Sequence, residues 1–307
     1  MNKGQQFTER YLKMMFSSLR DATSQAVLEE LERCRSINRK PVRVPRYFRE
    51  RYTESTFTAA NGFEMQVFST KPYPGHNTLI LYLHGGASIY QPVFFHWRFV
   101  NDMAIRTHFQ VEMPIYPKYP EYHCVDVMAV MMDYYISCVM PRRYQRVILM
   151  GDSFGGGFAL SMCQEISLRG LQPVSDLIAL SPCVDNAFSR RDRMVALQPL
   201  DTMIQLERIE TIMGGWRGDL PSTHPWASPV YGDLSAFPKN TMVIYGSNEI
   251  LKADAELLVE KMNEIRQPVR ALEYERMFHT FPLFPIKEGF QATREMAISL
   301  RNNASTC

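Results

Sequence analysis

The sequence predicts an α/β chain, with a mostly parallel eight-stranded sheet flanked by helices. Three observations lead there. Short β-rich runs alternate with helical segments from about residue 55 onward. Several runs, among them Leu79-Ile80-Leu81-Tyr82-Leu83 and Val147-Ile148-Leu149-Met150, are apolar without alternation. That pattern suits strands buried on both faces. The composition, 46% hydrophobic and 21% charged over 307 residues, is that of a globular protein with a sizeable core.

The β-runs lie at Ser55–Thr58, Met65–Ser69, Thr78–Leu83, Phe109–Ile115, Arg146–Met150, Asp176–Leu180, Met242–Gly246 and Val269–Tyr274. Helical spacing occupies residues 7–36 and about 92–107, 124–140, 154–169, 251–266 and 287–302. One segment breaks the alternation. Some sixty residues separate Leu180 from Met242, with a helical piece near Pro199 to Met213 and then Gly214, Gly215 and Gly218. An insertion of that length beside an active site often forms a lid. The expected organisation is an N-terminal helical cap segment and basic linker over 1–42, and a catalytic domain over 43–307. A cap insertion falls at about 186–222.

Several function classes are excluded. The net charge is +2, so no basic excess draws in nucleic acid. The start, Met-Asn-Lys-Gly-Gln-Gln, is polar and no apolar targeting core follows. The apolar stretch Val125–Met140 is interrupted by Asp126 and Asp133, short of the ~18 residues a span needs, so no stable membrane insertion is expected. Cys34, Cys124, Cys138, Cys163, Cys183 and Cys307 form no C-x-x-C pair, which argues against structural zinc and for free thiols in a reducing cytoplasm. Arg33, Arg35, Arg39, Lys40, Arg43, Arg46, Arg49 and Arg51 form a basic run broken by Pro41 and Pro45. A solvated linker is the favoured reading; contact with anionic lipid or a partner is the alternative.

Four short motifs carry chemistry. Gly151-Asp152-Ser153-Phe154-Gly155-Gly156-Gly157 joins a strand to a helix. A sharp turn there exposes Ser153 at the sheet edge, and the helix N-terminus favours negative charge beside it. Leu83-His84-Gly85-Gly86-Ala87 ends a buried strand and offers backbone N–H groups to an oxyanion; His84 is expected to shape that loop rather than act as base. Glu249, in Tyr245-Gly246-Ser247-Asn248-Glu249, stands at a strand end, where a carboxylate can orient a histidine. Its rival Asp254 falls inside the following helix and should point away. His279, in Met277-Phe278-His279-Thr280-Phe281, follows the last strand and can serve as general base. Asp152 is expected to tie the elbow to a neighbouring loop. Ser181-Pro182-Cys183-Val184-Asp185 is expected to position the acid loop.

These residues, taken together, resemble the hormone-sensitive-lipase-like branch of the α/β-hydrolases, the bacterial esterase and lipase type. The resemblance rests on His84-Gly85-Gly86-Ala87, Gly151 to Gly156, Ser181-Pro182 with Asp185, Glu249 and His279, and spans about residues 55 to 285. It implies an α/β-hydrolase fold with a helical cap and a triad of Ser153, Glu249 and His279. It also implies an oxyanion hole of the N–H groups of Gly86, Ala87 and Phe154, with His84, Gly85, Asp152 and Asp185 supporting. The chain departs from the family pattern at Ala87, where a third glycine is usual, and at Phe154, where alanine is usual. Each substitution narrows the space beside the nucleophile.

The expected activity is carboxylic ester hydrolysis on short- to medium-chain acyl esters, through an acyl-enzyme and without metal or organic cofactor. The expected partner is a small-molecule ester. Tyr90, Phe94, Phe278 and Phe281 are the aromatic candidates for an apolar acyl site. The same triad chemistry serves amides, so an amidase or peptidase is the nearest alternative. A non-catalytic ligand-binding protein on this fold is the next, although relatives that became receptors lost the histidine. Family members often pair through the sheet edge, which leaves a homodimer open.

Overall fold

The computed structural model describes residues 23–74 and 77–304. Of the helix expected over 7–36, the part from Ser24 is seen as α1, Ser24–Asn38. The earlier residues, with His76 and Cys307, lie outside the described residues.

The strands are β1 (Tyr52–Thr58), β2 (Glu64–Thr70), β3 (Thr78–Leu83), β4 (Gln110–Pro114), β5 (Arg146–Asp152), β6 (Asp176–Leu180), β7 (Asn240–Gly246) and β8 (Arg270–Tyr274). They form one eight-stranded sheet in the order β1-β2-β4-β3-β5-β6-β7-β8. Only the β1–β2 and β2–β4 pairings are antiparallel. The other five are parallel. This is the mostly parallel sheet that the unbroken apolar runs predict.

Each central strand sends alternate side chains into two cores, as the pleat requires. Leu79, Leu81, Val147, Leu149 and Leu177 face one core, which helices α3 (Cys124–Tyr134), α4 (Phe154–Leu168) and α7 (Lys252–Glu264) cover. Ile80, Tyr82, Ile148, Met150 and Ile178 face the other, under α2 (Phe94–Thr107) and α8 (Lys287–Ala304).

Two expectations need correction. Helix α3 continues through a π turn, Tyr135–Val139, and a 3-10 turn to Arg142. The run Cys124–Arg142 is therefore long and apolar enough by composition to cross a membrane, where the sequence reading placed it short. Its two aspartates do local work: Asp126 accepts from the His123 N–H at the helix start (2.8 Å), and Asp133 accepts from the Ala60 N–H (2.7 Å). Val127, Met128 and Met131 are fully buried in the core beneath.

The insertion after β6 also differs. It holds α5 (Arg191–Leu197) and α6 (Leu206–Arg217), with a loop where the helix was expected to begin. Asp201 makes that loop by accepting from the N–H groups of Met203 (2.8 Å) and Ile204 (2.9 Å). Gln198 then caps α6 by accepting from Leu206 N–H (2.8 Å). The helix runs through Gly214 and Gly215, poor helix formers. A Cβ on Gly215 would overlap the Tyr119 hydroxyl, so close packing on the Tyr119 loop favours glycine there. Helices α1 and α6 meet over the loop after β3, where Val27, Leu31, Cys34 and Ile212 enclose Ile89.

Candidate active site

Ser153 sits between β5 and α4 at φ 54 and ψ −123, a conformation that costs a non-glycine residue about 1–3 kcal/mol. The surroundings enforce it. Ser153 N–H donates to Leu180 O (2.8 Å), and Ser153 O accepts from the N–H groups of Gly156 (3.0 Å), Gly157 (3.1 Å) and Cys183 (3.2 Å). A Cβ on Gly155 would overlap the carbonyl oxygen of Leu83, so the elbow can press against the end of β3 only with glycine there. The other left-handed non-glycine residues include Ala87 (φ 50), Ser88 (φ 58), Ser181 (φ 45) and Thr280 (φ 51). All four lie on loops leaving the C-terminal ends of strands, where open α/β sheets place their sites.

The loop after β3 is fastened to the elbow by Asp152. Its Oδ1 accepts from the Tyr82 hydroxyl (2.5 Å) and from Gly85 N–H (2.8 Å). Its Oδ2 lies 3.4 Å from His96 Nε2. His96 Nδ1 accepts from Val93 N–H (2.9 Å), which leaves the proton on Nε2 to face Asp152. Burial works against the charged carboxylate, but His96, Tyr82 and Gly85 outweigh it and hold Asp152 below the usual aspartate range. Gly86 takes φ 109, and among the described residues the N–H groups of Gly86, Ala87 and Phe154 have no recorded acceptor. His84 is fully buried, with Nδ1 2.6 Å from Gly85 O and its ring stacked on Tyr116 (4.7 Å). Burial first, and then Lys118 and His96, push its pKa well below the ordinary histidine value, so the ring is neutral.

The acid loop follows β7. Glu249 is fully buried and all its contacts are donors. Oε1 accepts from the Ser181 hydroxyl (2.8 Å) and from Gly246 N–H (2.7 Å), and Oε2 lies 2.6 Å from His279 Nδ1. Ser181 Oγ also accepts from Thr280 N–H (3.1 Å), which ties the histidine loop to β6. Burial disfavours the charged imidazole, yet the hydrogen bond and charge of Glu249, with Asp201 and Asp152 behind, raise the His279 pKa above its ordinary value. Asp254 is the separate case. Its Oδ2 accepts from Val184 N–H (2.7 Å) and Asp185 N–H (3.1 Å), and Oδ1 is buried without a recorded partner. Burial, against the help of Val184, pushes it up to about 8. Asp185 closes its own turn by accepting from Ala187 N–H (2.9 Å) and Ser189 N–H (2.8 Å).

The aromatic candidates divide. Tyr90 reaches the insertion, its hydroxyl 3.4 Å from Arg208 Nη2. The structure gives the other three packing partners instead. Phe94 is half-exposed and leans on Phe48 and Phe95. Phe278 packs on Phe284, and Phe281 is fully buried against Tyr274. Phe154 is buried too, edge-on to Trp216 of α6 (4.7 Å) and beside Tyr116 and Phe158. Three residues escaped the sequence reading. His96 carries no local signal. Asp201 braces the acid loop by accepting from Ile250 N–H (2.8 Å), but it sits in the insertion, far away in sequence. Trp216 meets Phe154 only in three dimensions.

The profile of the alpha/beta hydrolase fold matches residues 80–283, from β3 to the loop carrying His279. An esterase of Acinetobacter venetianus is 28% identical over 223 residues, 71% of this chain and 73% of its own. A triacylglycerol lipase of Mycobacterium tuberculosis is 30% identical over 188 residues, but the match spans 60% of this chain and only 38% of that protein. Among solved structures, a provisionally assigned esterase from Staphylococcus aureus superposes with TM-score 0.83 at 29% identity, covering 91% of this chain and 93% of its own. An esterase of the bacterial hormone-sensitive lipase family shares the fold, with TM-score 0.74 at 21% identity over 92% of this chain and 99% of its own. The family match covers well over half of the chain, and the chain belongs to the α/β-hydrolase fold family.

Proposed function

We propose that the protein is a serine carboxylic ester hydrolase acting on short- to medium-chain acyl esters. The observation that carries the reading is the buried Glu249–His279 pair, 2.6 Å apart, downstream of a serine held at φ 54 on a strand-to-helix elbow. Ser153 Oγ attacks the ester carbonyl carbon while His279 takes its proton. The N–H groups of Gly86, Ala87 and Phe154 receive the oxyanion. The carbon–oxygen bond to the alcohol breaks as His279 returns the proton to the leaving oxygen. Water then adds to the acyl-enzyme with His279 as base, and the acid leaves as Ser153 regains its proton. Glu249 holds the imidazole in one orientation and stabilises its charged form.

In this reading residues 1–42, of which 1–22 lie outside the described residues, and about 186–222 form the cap over a catalytic domain of 43–307. The packing of α1 on α6 over the loop after β3 supports it. The Phe154–Trp216 contact supports a short acyl site, because a buried ring pair occupies space that a long chain would need. The names of relatives, an esterase and a triacylglycerol lipase, support ester substrates.

The test is hydrolysis of a p-nitrophenyl ester series from acetate to long acyl chains, beside matched amides and Ser153→Ala. Turnover is expected on short esters, falling with chain length and lost by at least about 10⁴-fold in the variant. Folded wild-type protein inert on every ester, or faster on the amide, would overturn the reading.

A further inference from the structure

The basic run of residues 33–51 divides in the fold. Three of its cations are paired, Arg33 with Glu30, Arg35 with Glu32 and Arg39 with Glu121, whereas Lys40 and Arg43 have no ion pair among the described residues. Its last part carries none either. Arg46, Arg49 and Arg51 lie on the 3-10 turn before β1, are exposed, and have no recorded acidic partner among the described residues. Together with exposed Lys71 they line one groove of about 690 Å³ between that turn, the end of β2 and the second half of α2. Glu50 is the single acidic residue in its lining. A chain of net charge +2 therefore concentrates four cations against one carboxylate at one place.

The same face presents apolar groups. Tyr47 lines the groove, is 77% exposed, and is held edge-on against buried Phe48 at 4.9 Å. Phe48 in turn contacts Phe94, which is 48% exposed, and Ile105 on the groove wall is 43% exposed. Val93, which precedes α2 and is 51% exposed, adds a further apolar group beside Phe94. Burying none of these groups and pairing none of these cations serves no packing purpose. Cations flanking a propped, amphipathic ring match the chemistry of an anionic bilayer surface. Phosphate and carboxylate headgroups pair with the guanidinium groups, and the ring sits at headgroup depth.

We propose that this face docks the protein peripherally on anionic phospholipid membranes. The attraction is electrostatic, reversible and salt-sensitive, with no spanning segment involved. It stands apart from the ester-hydrolase reading, because none of its residues has a place in the proposed catalytic steps.

Co-sedimentation of the full chain with vesicles tests it, comparing neutral phosphatidylcholine with the same lipid carrying about 30% phosphatidylserine. The anionic vesicles are expected to bind at least about tenfold more tightly, and that difference should collapse between about 0.05 M and 0.5 M salt. Arg46→Gln/Arg49→Gln/Arg51→Gln/Lys71→Gln should lose the preference for anionic lipid. Tyr47→Ala should weaken binding about threefold to tenfold without changing its salt dependence. Thermal unfolding of each variant at the wild-type temperature shows that the fold is intact. Equal binding to both vesicles, or a quadruple variant that binds like wild type, overturns the proposal. Release from vesicles by soluble inositol polyphosphate but not by matched ionic strength also overturns it, since the groove would then be a site for a free phosphate compound.

Discussion

Asp152, at the end of β5, and Glu249, just past β7, are both buried carboxylates, each satisfied by three donors, yet they hold different things. Asp152 holds backbone: it fixes Gly85 and so the loop whose N–H groups receive the oxyanion in the proposed reaction. Glu249 holds an imidazole whose charge changes during the proposed reaction. Asp254, also buried, has only two backbone donors and one buried oxygen without a recorded partner, and its carboxyl is pushed up where that of Asp152 is held down. Burial alone therefore does not set the charge of a carboxylate. The kind of partner matters: His96, the Tyr82 hydroxyl and Gly85 N–H together outweigh burial at Asp152, whereas backbone N–H groups do not outweigh it at Asp254 or at Asp201.

The comparison breaks first at Glu249. Glu249→Gln should lower the turnover of a soluble ester by about 10³–10⁴-fold, as the imidazole loses its orientation and its counter-charge. The pH profile should move as well. His279 acts as a base only when neutral, so activity falls as pH drops through its pKa, which Glu249 raises. The acid limb of the variant should shift to lower pH. A limb that stays in place would separate Glu249 from His279 in function.

Asp152→Asn should lower turnover about a hundredfold through misplacement of the Gly85–Ala87 loop, and move the acid limb to lower pH by less than Glu249→Gln does, because Asp152 is only a minor contributor to the raised His279 pKa. It should also lower stability by about 1.5–3 kcal/mol, measured by denaturant unfolding, because hydrogen bonds to a charged group are lost. A variant with normal turnover and lowered stability would make Asp152 purely structural. Ser181→Ala removes one donor from Glu249 and the acceptor of Thr280 N–H, and should cost about tenfold in turnover and about 1 kcal/mol in stability. Asp254→Asn should leave turnover unchanged and alter only the pH dependence of stability. A carboxyl whose folded pKa is about 8 contributes stability that is full below its unfolded value of 3.8 and lost as pH rises through 8. The variant should unfold at a temperature that varies less across that window; an unchanged slope would show that Asp254 is not the group responsible.

Legibility in the sequence follows the same division. The elbow and the loop after β3 were readable because their demands are local. Glycine is needed where β5 turns into α4 against Leu83, and a strand end flanked by glycines marks itself. The unbroken apolar strands likewise exposed the parallel sheet. The acid side was readable only as residues at strand ends, since Ser181, Gly246, Glu249 and His279 come from three segments whose meeting depends on the sheet order. Asp201 and His96 were invisible for that reason: each acts on a partner far off in the chain. The helical spacing over Pro199 to Gln205 predicts an earlier start for α6, and the Asp201 turn outweighs it. Phe278 and Phe281 flank His279 in the sequence, and their rings pack in the core under α8.

The most direct test of the central claim is mass mapping of the covalent adduct formed by an alkyl phosphonate ester, a mimic of the tetrahedral intermediate. One adduct is expected, on Ser153, formed by the wild type and slowed by at least about 10³-fold in His279→Ala. Ester turnover by a wild type that forms no adduct on Ser153, or labels another residue with loss of activity, would contradict the assignment of Ser153 as nucleophile and His279 as its base.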